Sequence, residues 1–255
     1  MCTLIALHRC FSEAPLMIAA NRDEYLDRPA AAPEVFSVGP RNALAPRDLR
    51  AGGTWLGVND AGLFAALTNR PTRHPHPARR SRGLVVTDAL GEAGAQEAAE
   101  VLERLPARAY NPFNLFLGDG RSAFAVIYED KPRIEELAPG AHVIGNTDPN
   151  SQRVPKVAGL LGEAERVVSG RLEDAMDALA QVCRVHDAGE GPLDDTCIHA
   201  DGYGTRSSTL LRLGGRREER ALLFADGPPC KTAYEDLTPL LGELDRKAGL
   251  VREVA

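Results

Sequence analysis

The sequence predicts an α+β protein built largely from antiparallel β-sheets. Short apolar runs come in adjacent pairs separated by polar turn residues, a pattern that is typical of β-hairpins. The longer amphipathic segments are gathered mainly in the middle of the chain and do not alternate with the strands. Because strictly alternating strands and helices indicate a parallel sheet, this arrangement favours antiparallel sheets instead.

Three hairpins are predicted from the paired apolar runs. Residues 3–8 and 15–21 flank the segment RCFSEA, residues 54–69 fold back around NDAG, and residues 113–130 fold back around GDG. Asn, Asp and Gly favour the tight turns that connect hairpin strands. Further strands are predicted at residues 141–145, 206–213 and 221–225.

Helices are predicted where apolar residues recur at positions i, i+3, i+4 and i+7. The first helix is expected to begin at Ser81, a suitable N-cap residue, and to continue to about Leu105. Three more helices are expected at about residues 153–168, 171–185 and 233–248.

Composition narrows the possible functions. No change in composition and no linker divides the 255 residues, so we expect a single domain over residues 1–255. The net charge of −6 and the low aromatic content argue against a nucleic-acid-binding role. No apolar run approaches the roughly 20 residues that a transmembrane helix needs, so no membrane-spanning segment is expected.

The cysteines and the N-terminal segment indicate a cytoplasmic protein. The five cysteines are odd in number, scattered and without a Cys-x-x-Cys pair. This pattern favours reduced thiols over a disulfide framework or a zinc site. A basic segment followed by an apolar one, which would indicate a secretory signal, is not seen at the start of the sequence.

Residues 70–82, RPTRHPHPARRSR, are rich in proline and basic residues. Proline is unfavourable in helices and in central strands, so an exposed loop is predicted. The loop follows Asn69 directly. If it borders a binding pocket, Arg70, Arg73, Arg79 and Arg80 would favour an anionic substrate, and the alternative is an ordinary surface loop.

Cys2 directly follows Met1 and is a candidate nucleophile. Methionine aminopeptidase generally removes Met1 when the second residue is small. Cys2 would then carry both a thiol and a free α-amine, and the amine can act as the general base for the thiol on the same residue. The alternative is that Cys2 simply packs in the core, as free cysteines usually do.

The segment AANRDEY adds charged residues to the end of an apolar strand. Strand alternation places Asn21 and Asp23 on one face and Arg22 and Glu24 on the other. Burying each of these charges costs roughly several kcal/mol unless it is paired. The segment therefore indicates either a functional site or a structural ion pair. Solvated charges at an exposed strand end are the alternative.

Further polar residues lie at predicted strand ends. Asn69 ends FAALTN, Asn146 ends HVIGN, and Arg206 with three hydroxyl residues precedes LLRL. An asparagine amide can donate to an oxyanion, and an arginine can bind a carboxylate through two hydrogen bonds. Each residue alone is typical of a turn or a cap. Together they supply the groups that acyl transfer needs.

The chain resembles the NRDE family, also called the Transport and Golgi organisation 2 family, named for the tetrapeptide found here as Asn21-Arg22-Asp23-Glu24. The resemblance covers nearly the whole chain through six ordered blocks: MCTLIAL, NRDEYLDRPAAAP, GGTWLGVNDAGLFAALTNR, SRG, GNTDPNSQRVPKV and GYGTRSST. The family in turn is similar to the N-terminal-nucleophile hydrolases of the choloylglycine hydrolase and penicillin V acylase group.

This resemblance implies an α+β fold that is a four-layer αββα sandwich of antiparallel sheets. It implies cleavage of non-peptide carbon–nitrogen amide bonds, with Cys2 as the nucleophile and Asp23 as the acid that contacts its α-amine. Asn69 and Asn146 match the asparagines near the oxyanion, and Arg206 resembles a late arginine of the site. We also expect Asn21, Arg22 and Arg70 to contact the substrate.

The sequence departs from the acylase pattern at one position. The acylases place an arginine immediately before the asparagine, as R-N-x-D, whereas this chain has Ala20 there and its arginine at Arg22. Alternation directs Arg22 away from the face shared by Asn21 and Asp23, unless a bulge rotates it. The arginine that supports the nucleophile is therefore expected to be missing.

Two main functions remain open. The first is a cysteine amidohydrolase that needs no metal or organic cofactor. The second is a non-catalytic carrier or trafficking protein that binds a small molecule such as haem, for which Cys2, His8, Cys10 or His199 would supply an axial ligand. A third, ammonia transfer from glutamine, shares the Met-Cys start, but the chain shows no synthase or synthetase domain.

Overall fold

The computed structural model describes residues 2–187, 191 and 193–252. The chain divides into two compact units. The first comprises Met1–Arg28 and Pro139–Thr238, and the second comprises Pro29–Ala138 and Pro239–Ala255. Each unit is built around one antiparallel β-sheet. In the described residues, no helix combines the length and apolar character needed to cross a membrane.

The elements follow one another in this order: β1 Cys2–His8, β2 Leu16–Tyr25, β3 Ala30–Val38, β4 Arg41–Asp48, β5 Leu56–Asn59, β6 Phe64–Asn69, α1 Arg82–Ala89, α2 Ala95–Glu103, β7 Phe113–Gly118, β8 Ala123–Tyr128, β9 Pro132–Glu136, β10 Gly140–Ile144, α3 Pro155–Val168, α4 Leu172–Arg184, β11 His199–Ala200, β12 Tyr203–Leu213, β13 Ala221–Ala225, β14 Glu235–Asp236 and α5 Thr238–Arg252.

The sheet of the first unit has the strand order β10-β1-β2-β12-β13-β14, and β11 pairs with β12. β1 therefore lies between β10 and β2, with Leu4 paired to Ile144 and Cys2 paired to Arg22. Helices α3 and α4 pack on one face through a buried apolar cluster of both helices and the sheet, with members such as Ile5, Met17, Val143, Leu160 and Leu179. Burial of this apolar surface holds the helices on the sheet.

The sheet of the second unit runs in the order β3-β4-β5-β6-β7-β8-β9. Helices α1 and α2 pack on one of its faces through a second apolar cluster. Three aromatic rings anchor that cluster: Phe113 stacks on Tyr128 with ring centroids 5.0 Å apart, and Tyr110 meets both rings edge-on.

Most predicted elements are confirmed. The three hairpins form, and the helices predicted at 153–168 and 171–185 correspond to α3 and α4. Residues 71–78 of the proline-rich segment are exposed and form a loop, as predicted. The last helix begins at Thr238 rather than at residue 233, because residues 235 and 236 pair with β13.

The single helix predicted over residues 81–105 is wrong, because α1 and α2 are separate. The chain turns after Ala89, where the N–H groups of Gly91 and Glu92 bond to carbonyls three residues back. The side-chain amide of Asn59 donates to the carbonyls of Leu90 and Glu92 at 2.9 and 2.7 Å. These hydrogen bonds satisfy carbonyl groups that a continuous helix would have bonded internally.

Candidate active site

Most of the predicted site residues lie at one end of the first unit's sheet, where β1 begins. Cys2 opens β1 and pairs with Arg22 on β2. On the other side of β2, Arg22 pairs with Ser207 and Asp23 pairs with Thr205, both on β12. Antiparallel pairing thus brings segments from positions 2, 22 and 206 of the sequence side by side.

The two faces of this strand end carry different groups. Asn21 and Asp23 face the helices, because the Asn21 amide donates to the carbonyls of Cys183 and Thr196, both at 2.9 Å. Residues paired directly across neighbouring strands point to the same face of a sheet. Cys2 and Arg22 therefore share the opposite face.

This geometry corrects the expectation that an arginine beside the nucleophile is missing. Arg22 does point away from Asn21 and Asp23, as alternation predicts, but the face it occupies is that of Cys2. Ala20 and Arg22 are two residues apart and so lie on one face, with Arg22 at the position directly beside Cys2. Arg22 is buried, and its guanidinium lies 4.0 Å from the carboxylate of Glu24.

The half-buried thiol of Cys2 is affected by both charged neighbours. Burial raises the pKa of the Cys2 thiol, and the negative charge of Asp23 raises it further, whereas the positive charge of Arg22 lowers it. The Cys2 Sγ lies 4.0 Å from the backbone oxygen of Asp23, which also accepts a hydrogen bond from the Tyr203 hydroxyl at 2.9 Å. Arg22 is therefore one of the groups that favour the reactive thiolate, together with the α-amino charge at the chain start and the backbone hydrogen bond with Asp23.

The carboxyl group of Asp23 is buried and positioned by a chain of hydrogen bonds. Its Oδ1 accepts from the Thr205 hydroxyl at 2.7 Å, and the Thr205 oxygen accepts from the N–H of Ile198 at 2.8 Å. Burial raises the pKa of Asp23 to about 7, although the Thr205 hydrogen bond and the positive charge of Lys156 oppose this rise. Asp23 can therefore gain or lose a proton near neutral pH.

Lys156 and Thr205 are site residues that sequence reasoning missed. Lys156 lies in the first turn of α3, and its ammonium donates to the carbonyls of Asp195 at 2.6 Å and Leu193 at 3.3 Å. Burial lowers the pKa of Lys156, and the negative charge of Asp23 opposes this effect. The signals were present in two of the quoted blocks, as a lysine in PKV and as the threonine directly before Arg206.

Arg206 occupies a β-bulge. The pairing between β2 and β12 shifts between Thr205 and Ser207, which leaves Arg206 as the extra residue of β12. Bulges often redirect side chains next to active sites. Within the described part of the chain, the buried Arg206 Nε and Ser207 Oγ have no hydrogen-bond partner. Both groups therefore keep hydrogen-bonding capacity that the described residues do not use.

The two predicted oxyanion asparagines lie in different units. Asn146 is half-buried and follows β10, two residues beyond Ile144, which pairs with Leu4. It therefore lies at the Cys2 end of β1. Asn69 ends β6 in the second unit, where it pairs with Phe113, and its oxyanion role stays a prediction.

Two of the residues expected to contact the substrate, Asn21 and Arg70, form hydrogen bonds to protein groups of their own units. The Asn21 amide holds the segment that follows α4, through the carbonyls named above. In the second unit, Arg70 donates to Asn114 at 3.1 Å and to Glu129 at 2.9 Å. Arg80 pairs with Asp88, so part of the positive charge of the proline-rich loop is already neutralised.

Comparison with known proteins identifies related sequences. The model of the family described as Transport and Golgi organisation 2 matches residues 1–220. The Transport and Golgi organization protein 2 homolog of Bos taurus is 30% identical over 247 residues, which cover 83% of this chain and 88% of that protein. The Homo sapiens homolog is 26% identical over 231 residues, covering 77% and 81%.

Solved structures share the fold at low sequence identity. A C2A mutant of the conjugated bile acid hydrolase from Clostridium perfringens superposes with a TM-score of 0.62 at 12% identity, covering 96% of this chain and 94% of that one. Penicillin V acylase from Agrobacterium tumefaciens gives 0.53 at 15%, covering 93% and 86%. The Caenorhabditis elegans ortholog of N-acylethanolamine-hydrolyzing acid amidase gives 0.57 at 11%, covering 83% and 92%. The predicted α+β class with antiparallel sheets is confirmed, as is the likeness to N-terminal-nucleophile hydrolases.

Proposed function

Because the chain belongs to the Transport and Golgi organisation 2 family and has the fold of the N-terminal-nucleophile hydrolases, we propose that it is a cysteine amidohydrolase that acts on a non-peptide carbon–nitrogen amide bond. The observation that carries this proposal is the alignment of Cys2, Arg22, Asp23 and Arg206 across three neighbouring strands. The names of the structural neighbours, a bile acid hydrolase, an acylase and an acid amidase, support the reaction class.

The reaction begins after Met1 is removed. The α-amine of Cys2 takes the proton of its own thiol, and the thiolate attacks the amide carbonyl carbon of the substrate. The resulting tetrahedral oxyanion accepts a hydrogen bond from the amide of Asn146, which lies at the Cys2 end of β1. When this intermediate collapses, the C–N bond breaks, the leaving amine takes the proton from the α-ammonium group, and a thioester remains on Cys2.

Hydrolysis of the thioester completes the cycle. The α-amine removes a proton from a water molecule, whose oxygen attacks the thioester carbonyl. The C–S bond then breaks, the carboxylic acid leaves, and the thiol regains its proton. One water molecule is consumed for each amide bond cleaved.

The surrounding groups each have a proposed role in this cycle. Arg22 stabilises the thiolate of Cys2 through its positive charge. Asp23, positioned by Thr205, orients the α-amine, and burial raises its pKa to about 7. The unused Nε of Arg206 binds a polar or anionic part of the substrate.

The first test combines intact-mass spectrometry with turnover of a panel of chromogenic amides. We expect the protein from its native host to begin at Cys2 and to hydrolyse at least one amide. Cys2→Ala should lower kcat/KM by roughly a thousandfold or more, because the nucleophile is lost. Cys10→Ala is the matched control, since it removes another half-buried thiol, which contacts the carbonyl of His8.

Full retention of Met1 in the native host would contradict the proposal, because the α-amine of Cys2 would then be part of a peptide bond. Equal activity of Cys2→Ala and the unmodified chain would contradict it as well.

A non-catalytic carrier or trafficking role is the second candidate, and the name of the family favours it. Of the residues considered as haem ligands, His8 is 1% exposed, whereas the His199 side chain lies at the surface. An absorbance titration with haemin separates the two functions. Saturable binding that is lost in His199→Ala, without amide turnover, would support a carrier, and no saturable binding would remove haem from consideration.

A further inference from the structure

Two cysteines and a histidine converge in the first unit, away from Cys2 in the sequence. Cys197 lies just before β11, His199 begins β11, and Cys230 lies in the turn after β13. The two sulfur atoms are 3.5 Å apart, and the His199 Nε2 lies 3.1 Å from the Cys230 sulfur and 3.7 Å from the Cys197 sulfur. We call these three residues the Cys-His-Cys cluster.

These separations suit a single tetrahedral metal ion. With Zn–S bonds of about 2.3 Å and a Zn–N bond of about 2.0 Å, tetrahedral angles place two sulfur ligands about 3.8 Å apart and a sulfur and a nitrogen about 3.5 Å apart. The three distances in the cluster lie within about half an ångström of these values. Small side-chain adjustments would therefore bring all three ligand atoms onto one ion.

We propose that the Cys-His-Cys cluster is a binding site for one thiophilic cation, with Zn²⁺ as its principal occupant. The ligands are the thiolates of Cys197 and Cys230 and the Nε2 of His199, and a water molecule completes the tetrahedron. Thiolate and imidazole ligands select zinc or copper(I) over the oxygen-preferring Mg²⁺ and Ca²⁺.

The backbone holds both arms of the cluster in place. The N–H of Cys197 donates to the carbonyl of Val185 at 2.8 Å, and His199 pairs with Gly204 on β12. On the other arm, the N–H groups of Lys231 and Thr232 both donate to the carbonyl of Pro228 at 2.9 Å. Ordered ligands reduce the conformational entropy that binding must offset.

The cluster is also connected to the carboxyl group of the candidate active site. Ile198, between the two ligands Cys197 and His199, donates its N–H to the Thr205 hydroxyl, which donates to Asp23. A bound ion would fix residues 197–199 and with them the position of Thr205. The metal site does not depend on the proposed amidase activity, and binding alone tests it.

The test is a Co²⁺ titration of the full chain under reducing, oxygen-free conditions, followed by competition with Zn²⁺. We expect one Co²⁺ per chain, with a thiolate-to-cobalt charge-transfer band and the visible absorption of a tetrahedral site, both abolished by one equivalent of Zn²⁺. Cys197→Ser and Cys230→Ser should lose the charge-transfer intensity. His199→Ala, a change at an exposed side chain, should weaken Zn²⁺ binding by about tenfold or more.

Cys10→Ala is the matched control and should bind Co²⁺ like the unmodified chain. The proposal is overturned if the fully reduced chain binds no Co²⁺, or if the three cluster variants bind it as well as Cys10→Ala does. A chain that forms a Cys197–Cys230 disulfide in air and binds no Co²⁺ after reduction would also overturn it and would identify a redox pair instead.

Discussion

Asn21 and Asn59 are buried asparagines, one in each seven-stranded sheet, and both tie a strand to the end of a helix. The Asn21 amide donates to the carbonyl of Cys183, in the last turn of α4, and to that of Thr196. The Asn59 amide donates to the carbonyls of Leu90 and Glu92, just past α1. The same side chain thus serves the same structural purpose in both units.

The residues that follow the two asparagines differ. After Asn21 the strand continues with Arg22 and Asp23, which are only 6% and 2% exposed. After Asn59 the chain turns, and Asp60 accepts hydrogen bonds from the backbone and side chain of Asn42. Burial of a charged group costs free energy unless it is compensated, so the strand of the first sheet is the less favourable one for stability.

The same contrast holds for each unit as a whole. Among the described residues, the Asp, Arg and His residues that are buried as whole residues belong to the first unit: His8, Arg22, Asp23, His142 and Asp195. In the second unit the polar residues buried as whole residues are neutral: Asn42, Thr54, Asn59, Thr68 and Asn114. The Asp60 side chain of the second unit is also only 6% exposed, but it is compensated by Arg41 at 3.4 Å and by the hydrogen bonds from Asn42. Buried ionisable groups often mark functional sites, so the contrast supports the proposed active site in the first unit.

Among the variants that test the contrast between the two units, Asp23→Asn should change activity and stability most. It removes the buried charge and keeps the shape of the side chain. We expect kcat/KM to fall by about a hundredfold or more, because the carboxylate that orients the α-amine is lost. We also expect the variant to be more stable than the unmodified chain at pH 8, because no carboxylate has to ionise in the interior.

The gain in stability should depend on pH. Between pH 4 and 7 the unfolded chain loses the Asp23 proton while the folded chain keeps it, since folding raises the pKa from 3.8 to about 7. The unfolding free energy of the unmodified chain therefore falls as pH rises, by up to about 1.4 kcal/mol per pH unit from this group. Urea unfolding at pH 4, 6 and 8 measures the difference. If the unfolding free energy of Asp23→Asn exceeded that of the unmodified chain by the same amount at pH 4 and at pH 8, the raised pKa of Asp23 would be contradicted.

Substitution of Arg22 should have the next largest effect, which is on the reactivity of the Cys2 thiol. Because its positive charge lowers the pKa of the Cys2 thiol, Arg22→Leu should slow alkylation of Cys2 by iodoacetamide at pH 7 by about three- to tenfold. Arg22→Lys keeps the charge and should restore most of the rate. The pH dependence of alkylation, followed by mass spectrometry in a Cys10→Ala background, measures the change. An unaltered pH profile in Arg22→Leu would show that Arg22 acts only in packing.

Much of the site could be predicted from local patterns, because strand alternation is a local property. Alternation correctly placed Asn21 and Asp23 on one face and Arg22 on the other. What it could not give was the register between strands that are far apart in the sequence. Cys2 pairs with Arg22, so the face that alternation assigned to Arg22 is the face of Cys2, the proposed nucleophile. The bulge at Arg206 is likewise a property of the pairing and has no local signature.

The errors in the fold have similar non-local causes. The break between α1 and α2 is stabilised by Asn59, a side chain about thirty residues earlier in the sequence. No strand was predicted at β3, which contains Pro33, a residue that normally argues against a strand. It forms at the edge of the second sheet, and its pairing with β4 is irregular between Ala31 and Glu34. An edge position with a bulge is where a strand tolerates proline.

The smallest effect on activity is expected from the two asparagines themselves. Asn21→Ala removes two hydrogen bonds, and Asn59→Ala removes four, because the Asn59 Oδ1 also accepts from the N–H groups of Ala61 and Leu63. Each variant leaves two carbonyls without these donors, so each should lower the unfolding free energy by about 2–4 kcal/mol, with the larger loss for Asn59→Ala. Circular dichroism follows both units during urea unfolding, and the fluorescence of the single tryptophan, Trp55, follows the second.

Kinetics of the folded fraction then separate structure from substrate binding. Asn59→Ala should leave kcat and KM unchanged. Asn21→Ala should leave KM unchanged too, because its amide is occupied by the carbonyls of Cys183 and Thr196, and should alter kcat less than tenfold through its neighbour Asp23. A tenfold rise in KM for Asn21→Ala, without a rise for Asn59→Ala, would support the predicted contact between Asn21 and the substrate. The two asparagines would then differ in function as well as in the residues that follow them.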